Sequence, residues 1–131
     1  MKGSNKQRIS GWFLSGLVAV FLVGGSAMGI FLEWEGKEVM FQHLGYSGDL
    51  IMKIGVLEIV LVILFLIPKT SFLGAILLTG YLGGAVATHV RVGDPFFVPI
   101  IVGVVIWIGL GLRSPGFFSM AAGRSVCDSH A

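Results

Sequence analysis

The chain has 131 residues, a length that suits one domain. Hydrophobic residues make up 55% of it and charged residues only 12%, against roughly 25% charge in a soluble domain, so the excess apolar surface calls for a bilayer as solvent. The net charge of +2 does not point to nucleic acid, and the single cysteine, Cys127, excludes an internal disulfide or a CxxC redox pair.

A helix needs about 20 apolar residues to cross roughly 30 Å of hydrocarbon. Four runs meet or approach that length: Gly11 to Leu32, Leu50 to Ile67, Phe72 to Val90 and Pro95 to Leu112. They predict an all-α fold, a four-helix transmembrane bundle over residues 11–114, with a cytoplasmic tail over 1–10 and a flexible cytoplasmic tail over 115–131. Ser10 is placed to cap the first helix. That helix has the basic start of a signal peptide, and Gly25-Ser26-Ala27 would pass as a cleavage site. The apolar stretch continues to Leu32, however, which is long for a signal and favours an uncleaved helix. The loop from Glu33 to Ser47 is either a short amphipathic helix on the membrane surface, using Val39, Met40, Phe41 and Leu44, or a plain solvated loop.

Ser47 caps the second helix, with Asp49 in its first turn, and Pro68 stops it. Thr70 or Ser71 caps the third, and Asp94-Pro95 reads as the N-cap and first position of the fourth. The short loops make these helices antiparallel neighbours. In the tail, Phe117, Phe118 and Met120 are placed to rest on the interface. One side of this arrangement carries Lys2, Lys6, Arg8, Lys69, Arg113 and Arg124, the other Lys37, Lys53 and Arg91. The richer side is cytoplasmic, so both termini are expected there.

Glu58 stands out. It lies about nine residues, roughly 13 Å, into the second helix, close to the midplane. Burying a carboxylate there costs at least a few kcal/mol, so such residues face the bundle interior. Two readings are open: a functional group, or a polar tie between helices. By depth, Gly24, Gly25 and Ser26 of the first helix, Gly83 and Gly84 of the third and Gly103 of the fourth come to its level. The GxxxG pairs Gly25/Gly29 and Gly80/Gly84 suggest close helix packing; together with Glu58 they also permit a small polar cavity. His89, with Thr88 beside it, lies one turn inside the outer end of the third helix, and Tyr81 two turns deeper. A ladder from His89 inward to Glu58 would suit a proton relay or a polar ligand head, although an interfacial histidine is more often a satisfied boundary residue. His43, His89 and His130 show no metal-ligand spacing.

The order of short motifs resembles the DoxX-like family of small four-helix bacterial membrane proteins. They are Gly25-Ser26-Ala27-Met28-Gly29, His43-Leu44-Gly45-Tyr46, Gly55-Val56-Leu57-Glu58 running to Ile67-Pro68, Gly80-Tyr81, Ala85 to His89, and Gly93-Asp94-Pro95. The resemblance covers roughly Leu14 to Ser114. It implies a multi-pass protein of the bacterial inner membrane, and in the wider group it implies association with membrane redox complexes, including a thiosulfate:quinone oxidoreductase. Gly55, Glu58 and Ala87-Thr88-His89 match the family's polar positions. Relatives often carry a lysine after the small residues of the first helix. Here Ala27-Met28-Gly29-Ile30 supplies no base, which leaves Glu58 without that partner and favours a neutral carboxyl.

Two functions are compatible with these features. One is a non-catalytic subunit or scaffold of a redox system, with a protein partner or as a homo-oligomer. The other is a binding protein or carrier for a small amphiphile, a quinone or a lipid, in a polar pocket of Glu58, His89, Tyr81, Thr88 and Ser26. No motif names a cofactor. An enzyme is disfavoured, since no nucleophile–base pair, metal cluster or phosphate loop is evident. A channel would need an oligomer.

Overall fold

A computed structural model describes residues 4–123. Lys2, Arg124, Cys127 and His130, and the end of the tail expected to be flexible, lie outside the described residues. Within them the chain is helical, with no strand.

Helix α1 begins at Asn5, ahead of the apolar run. It is α-helical over Asn5–Val20, widens into a π-helical segment over Phe21–Ala27 and closes with Met28–Phe31. The good helix formers Lys6, Gln7 and Arg8 carry it toward the N-terminus. Its cap is therefore Ser4, whose Oγ accepts from the Gln7 amide at 3.2 Å. The expected cap, Ser10, sits inside the helix and donates to the Lys6 carbonyl. The loop that follows holds a short helix, α2 (Lys37–Leu44), bounded by Gly36 and Gly45, both at positive φ (89° and 78°).

Helix α3 (Gly48–Leu66) is capped by Ser47, which accepts from the Leu50 amide at 3.3 Å, and it ends just before Pro68. Helix α4 (Ser71–Val92) follows after a tight turn in which Thr70 donates to the Leu64 carbonyl. Helix α5 runs Phe97–Arg113 and a last turn of helix, α6, spans Gly116–Ala121. Asp94 does not cap α5, because its carboxylate is paired with His43 at 3.0 Å and Phe96 flanks the helix instead. Asn5–Phe31 and Ser71–Val92 are long and apolar enough to cross a membrane; Phe97–Arg113 is apolar but shorter.

The helices pack side by side, with α5 against both α1 and α4, and α3 against α4 and the upper half of α1. Val18, Leu22, Phe65, Leu78, Ile106 and Leu110 fill the space between them. Two approaches are close enough to require glycine. A Cβ on Gly74 would fall on the backbone of Leu64 and Phe65, and one on Gly11 would stand 2.5 Å from the Arg113 amide nitrogen.

That second crossing is stitched by Arg113, which the charge count had placed on the cytoplasmic side and which is buried (7% exposed). Its Nη1 donates to Ser15 Oγ (3.1 Å) and the Phe65 carbonyl (3.2 Å), Nη2 to the Leu66 carbonyl (3.5 Å), and the guanidinium lies 3.9 Å from the Trp12 ring centre. The last carbonyls of α3 have no partner within their own helix and lie at its negative pole, which explains why a cation ends there. Phe117 of α6 stacks on Phe72, and the Phe118 ring lies over Gly111.

Candidate functional site

From the π-helical segment onward, α1 leans on α3 and leaves a gap to α4. The gap is a half-open groove of about 550 Å³. One wall is Gly25, Ser26, Gly29 and Ile30; the other is Gly80, Tyr81, Gly84, Ala85, Thr88 and His89. Ile51, Ile54 and Leu57 of α3 form the floor, and residues in and around α2, among them Trp34, Met40, Phe41 and Tyr46, close one end.

The GxxxG pairs therefore do not bring helices together. A Cβ on Gly25, Gly29, Gly80 or Gly84 would meet nothing within 4 Å. Their missing side chains leave the groove open, while the close contacts of the bundle fall at Gly11, Gly74 and Gly109. Gly55 is different again, since a Cβ there would press on the Phe31 ring at 3.2 Å.

Glu58 is fully buried. Ser26 Oγ donates to its Oε2 at 3.1 Å, and Oε1 has no hydrogen-bond partner. Tyr81 stands beside the same carboxyl. Glu58 does not itself line the groove; Ser26 and Tyr81 do, and they form the boundary between the groove and the carboxyl. A buried oxygen left without a hydrogen-bond partner is rare.

His89 and Thr88 lie about two turns away from Tyr81 along α4. His89 Nδ1 is 2.7 Å from the Ala85 carbonyl. A carbonyl only accepts, so Nδ1 carries the proton and Nε2 of the neutral ring keeps its lone pair. Thr88 donates to the Gly84 carbonyl (2.9 Å) and accepts from the Tyr46 hydroxyl (2.8 Å). No hydrogen bond among the described residues joins His89 or Thr88 to Tyr81 or Glu58, so the five polar residues form two clusters rather than one ladder. Lys53, at a depth similar to His89, is engaged with Asp49 on the surface.

The structure adds residues that the sequence did not single out for this site. Trp34 at the closed end donates Nε1–H to the Gly29 carbonyl (2.8 Å). Arg91 donates to the Leu44 carbonyl (2.6 Å) and faces the Tyr46 ring, and together with the His43–Asp94 pair it fastens α2 to the end of α4. Pairs separated by 47 and 51 residues leave no local pattern.

Two of the helices are long and apolar enough to cross a membrane, and the groove lies between them. The chain belongs to the DoxX-like family, whose family model matches residues 13–109. That membership, together with the two apolar helices, supports a membrane location. No curated protein and no solved structure was found to match the chain.

Proposed function

We propose that the protein crosses the bacterial inner membrane four times, with both termini in the cytoplasm, and holds a small membrane amphiphile in the groove between α1 and α4. Ser26, Tyr81, Thr88 and His89 supply its polar contacts, with Glu58 behind them. The observation that carries this reading is the groove itself. Its two glycine-lowered walls enclose space that no side chain fills, whereas a purely structural bundle gains by closing such a gap. Its volume lies in the range of small-molecule sites, and its lining is apolar with few polar groups.

The four crossings are supported by the helix lengths and by the unequal distribution of Lys and Arg. Cysteines introduced at Lys37 and Lys69 should react with an impermeant thiol reagent from opposite faces of the membrane. Labelling of both from one face would refute the topology.

The groove is tested by purifying the wild type and Gly84→Phe in mild detergent and weighing each complex by native mass spectrometry. The wild type should retain an amphiphile that the variant loses. If neither retains one, and both bring down the same protein partner, the chain is a scaffold of a membrane complex. That second reading rests on family association and on no particular side chain in the fold.

A further inference from the structure

We infer that the head this groove selects is a cationic hydrogen-bond donor, an amine carried on an apolar body and held against the Ser26–Glu58 pair. This deepens the ligand-binding reading and rests on it.

The polar atoms on offer are mostly acceptors. The Ser26 proton is spent on Glu58 Oε2, which leaves the Ser26 lone pairs toward the groove. In the neutral ring His89 Nε2 is an acceptor, since Nδ1 holds the proton, and the Thr88 proton is spent on Gly84. Behind Ser26 and Tyr81, which separate it from the groove, Glu58 Oε1 has no partner at hydrogen-bond distance. A head that only accepts hydrogen bonds, such as a quinone, meets the Tyr81 hydroxyl at most, so the residues suit a donor better.

The charge points the same way. With no base beside it a carboxyl sealed from water carries a proton, and an amine bound in the groove would supply the cation beside which it can ionise. The groups facing Glu58 from the neighbouring helices are Ser26 and Tyr81, neither of them basic. The cations nearby are committed elsewhere: Lys53 to Asp49, Arg91 to the Leu44 carbonyl, and Arg113 to the end of α3. No Lys or Arg lines the groove, and the nearest cations at its closed end, Lys37 and Arg91, lie against the Phe41 and Tyr46 rings, away from the Ser26–Glu58 pair.

Aromatic rings favour a cation too. Trp34, Phe41, Tyr46 and Tyr81 all border the groove, and two of them already hold cations of the protein: Lys37 lies 5.7 Å from the Phe41 ring centre and Arg91 5.6 Å from that of Tyr46.

The test uses the full chain in nanodiscs and three photoreactive probes with one alkyl tail and different heads: a primary amine, an alcohol and a carboxylate. Labelled peptides locate each probe. The amine should label the groove at a concentration about tenfold below the alcohol, and the carboxylate least well. Glu58→Gln should abolish the preference for the amine over the alcohol, the two probes being compared within the variant, and helical circular dichroism of the same nanodiscs checks that the variant is folded. Equal labelling by amine and alcohol in the wild type, or an amine preference that survives Glu58→Gln, overturns the inference and leaves the groove as a site for neutral amphiphiles. Failure of all three heads to label the groove overturns the ligand-binding reading as well.

Discussion

Alanine at Gly84 and alanine at Gly74 should move the stability of this protein in opposite directions. Both glycines lie inside α4, so both replacements gain helix propensity, up to about 1 kcal/mol each. They differ in what the new methyl meets. At Gly84 it enters open space in the groove, and the gain stands. At Gly74 it collides with the backbone of Leu64 and Phe65. Backbone cannot rotate away, so α3 and α4 must separate, at a cost of about 1–3 kcal/mol or more for an overpacked contact. The propensity gain is common to both variants and cancels, so the expected gap between them is the overpacking cost, on the order of 1–3 kcal/mol or more. Equilibrium unfolding in mixed micelles with increasing SDS, followed by helical circular dichroism, measures it. A Gly84→Ala variant that loses as much as Gly74→Ala would mean that something packs on that wall, such as a second copy of the chain, and the groove as described would not exist in the bilayer.

Arg113→Gln should destabilise by about 2–4 kcal/mol, since it strips charge-assisted bonds from Ser15, from the buried Phe65 carbonyl and from the half-buried Leu66 carbonyl. Arg113→Lys should recover little of this, because one ammonium cannot match the spread of a guanidinium fork; the same unfolding assay reads both. His43→Ala should cost less than about 1 kcal/mol globally, the worth of a partly exposed pair, while amide exchange in α2 speeds up measurably. Trp107→Phe removes the bond from Nε1 to Thr79 Oγ1 (2.9 Å) but keeps most of the ring. It should cost about 1 kcal/mol, and a larger loss would show that the edge contact with Phe72 matters more than the hydrogen bond.

Much of the site's level was legible in the sequence, and little of its shape. Counting residues from the helix ends brings Ser26 to the depth of Glu58, and the two are hydrogen-bonded. Depth, however, does not tell which way a residue faces. The π-helical segment over Phe21–Ala27 resets the angular position of everything after it in α1, and nothing in Phe-Leu-Val-Gly-Gly-Ser-Ala marks it beforehand. GxxxG spacing announces a smooth helix face but not what lies against it, so pairs that suggested contact turn out to border a gap. Arg113 was counted as a charge near a membrane edge, when its burial depends on carbonyls of a helix that ends 47 residues earlier. Asp94 before a proline has the form of a cap, yet His43 competes for it from 51 residues away. In each case a tertiary partner overrode a valid local rule.

The hydrogen bond from Arg113 to Ser15 joins residues 98 positions apart. As the nascent chain leaves the ribosome, the first greasy segment enters the bilayer long before its fastening is synthesised. Its docking face, Gly11 and Ser15, stays unclasped until the end of α5 has been translated. A product cut short within α5 keeps its first apolar helix but cannot lock it, so assembly of this small protein ends with a check that α5 has arrived whole.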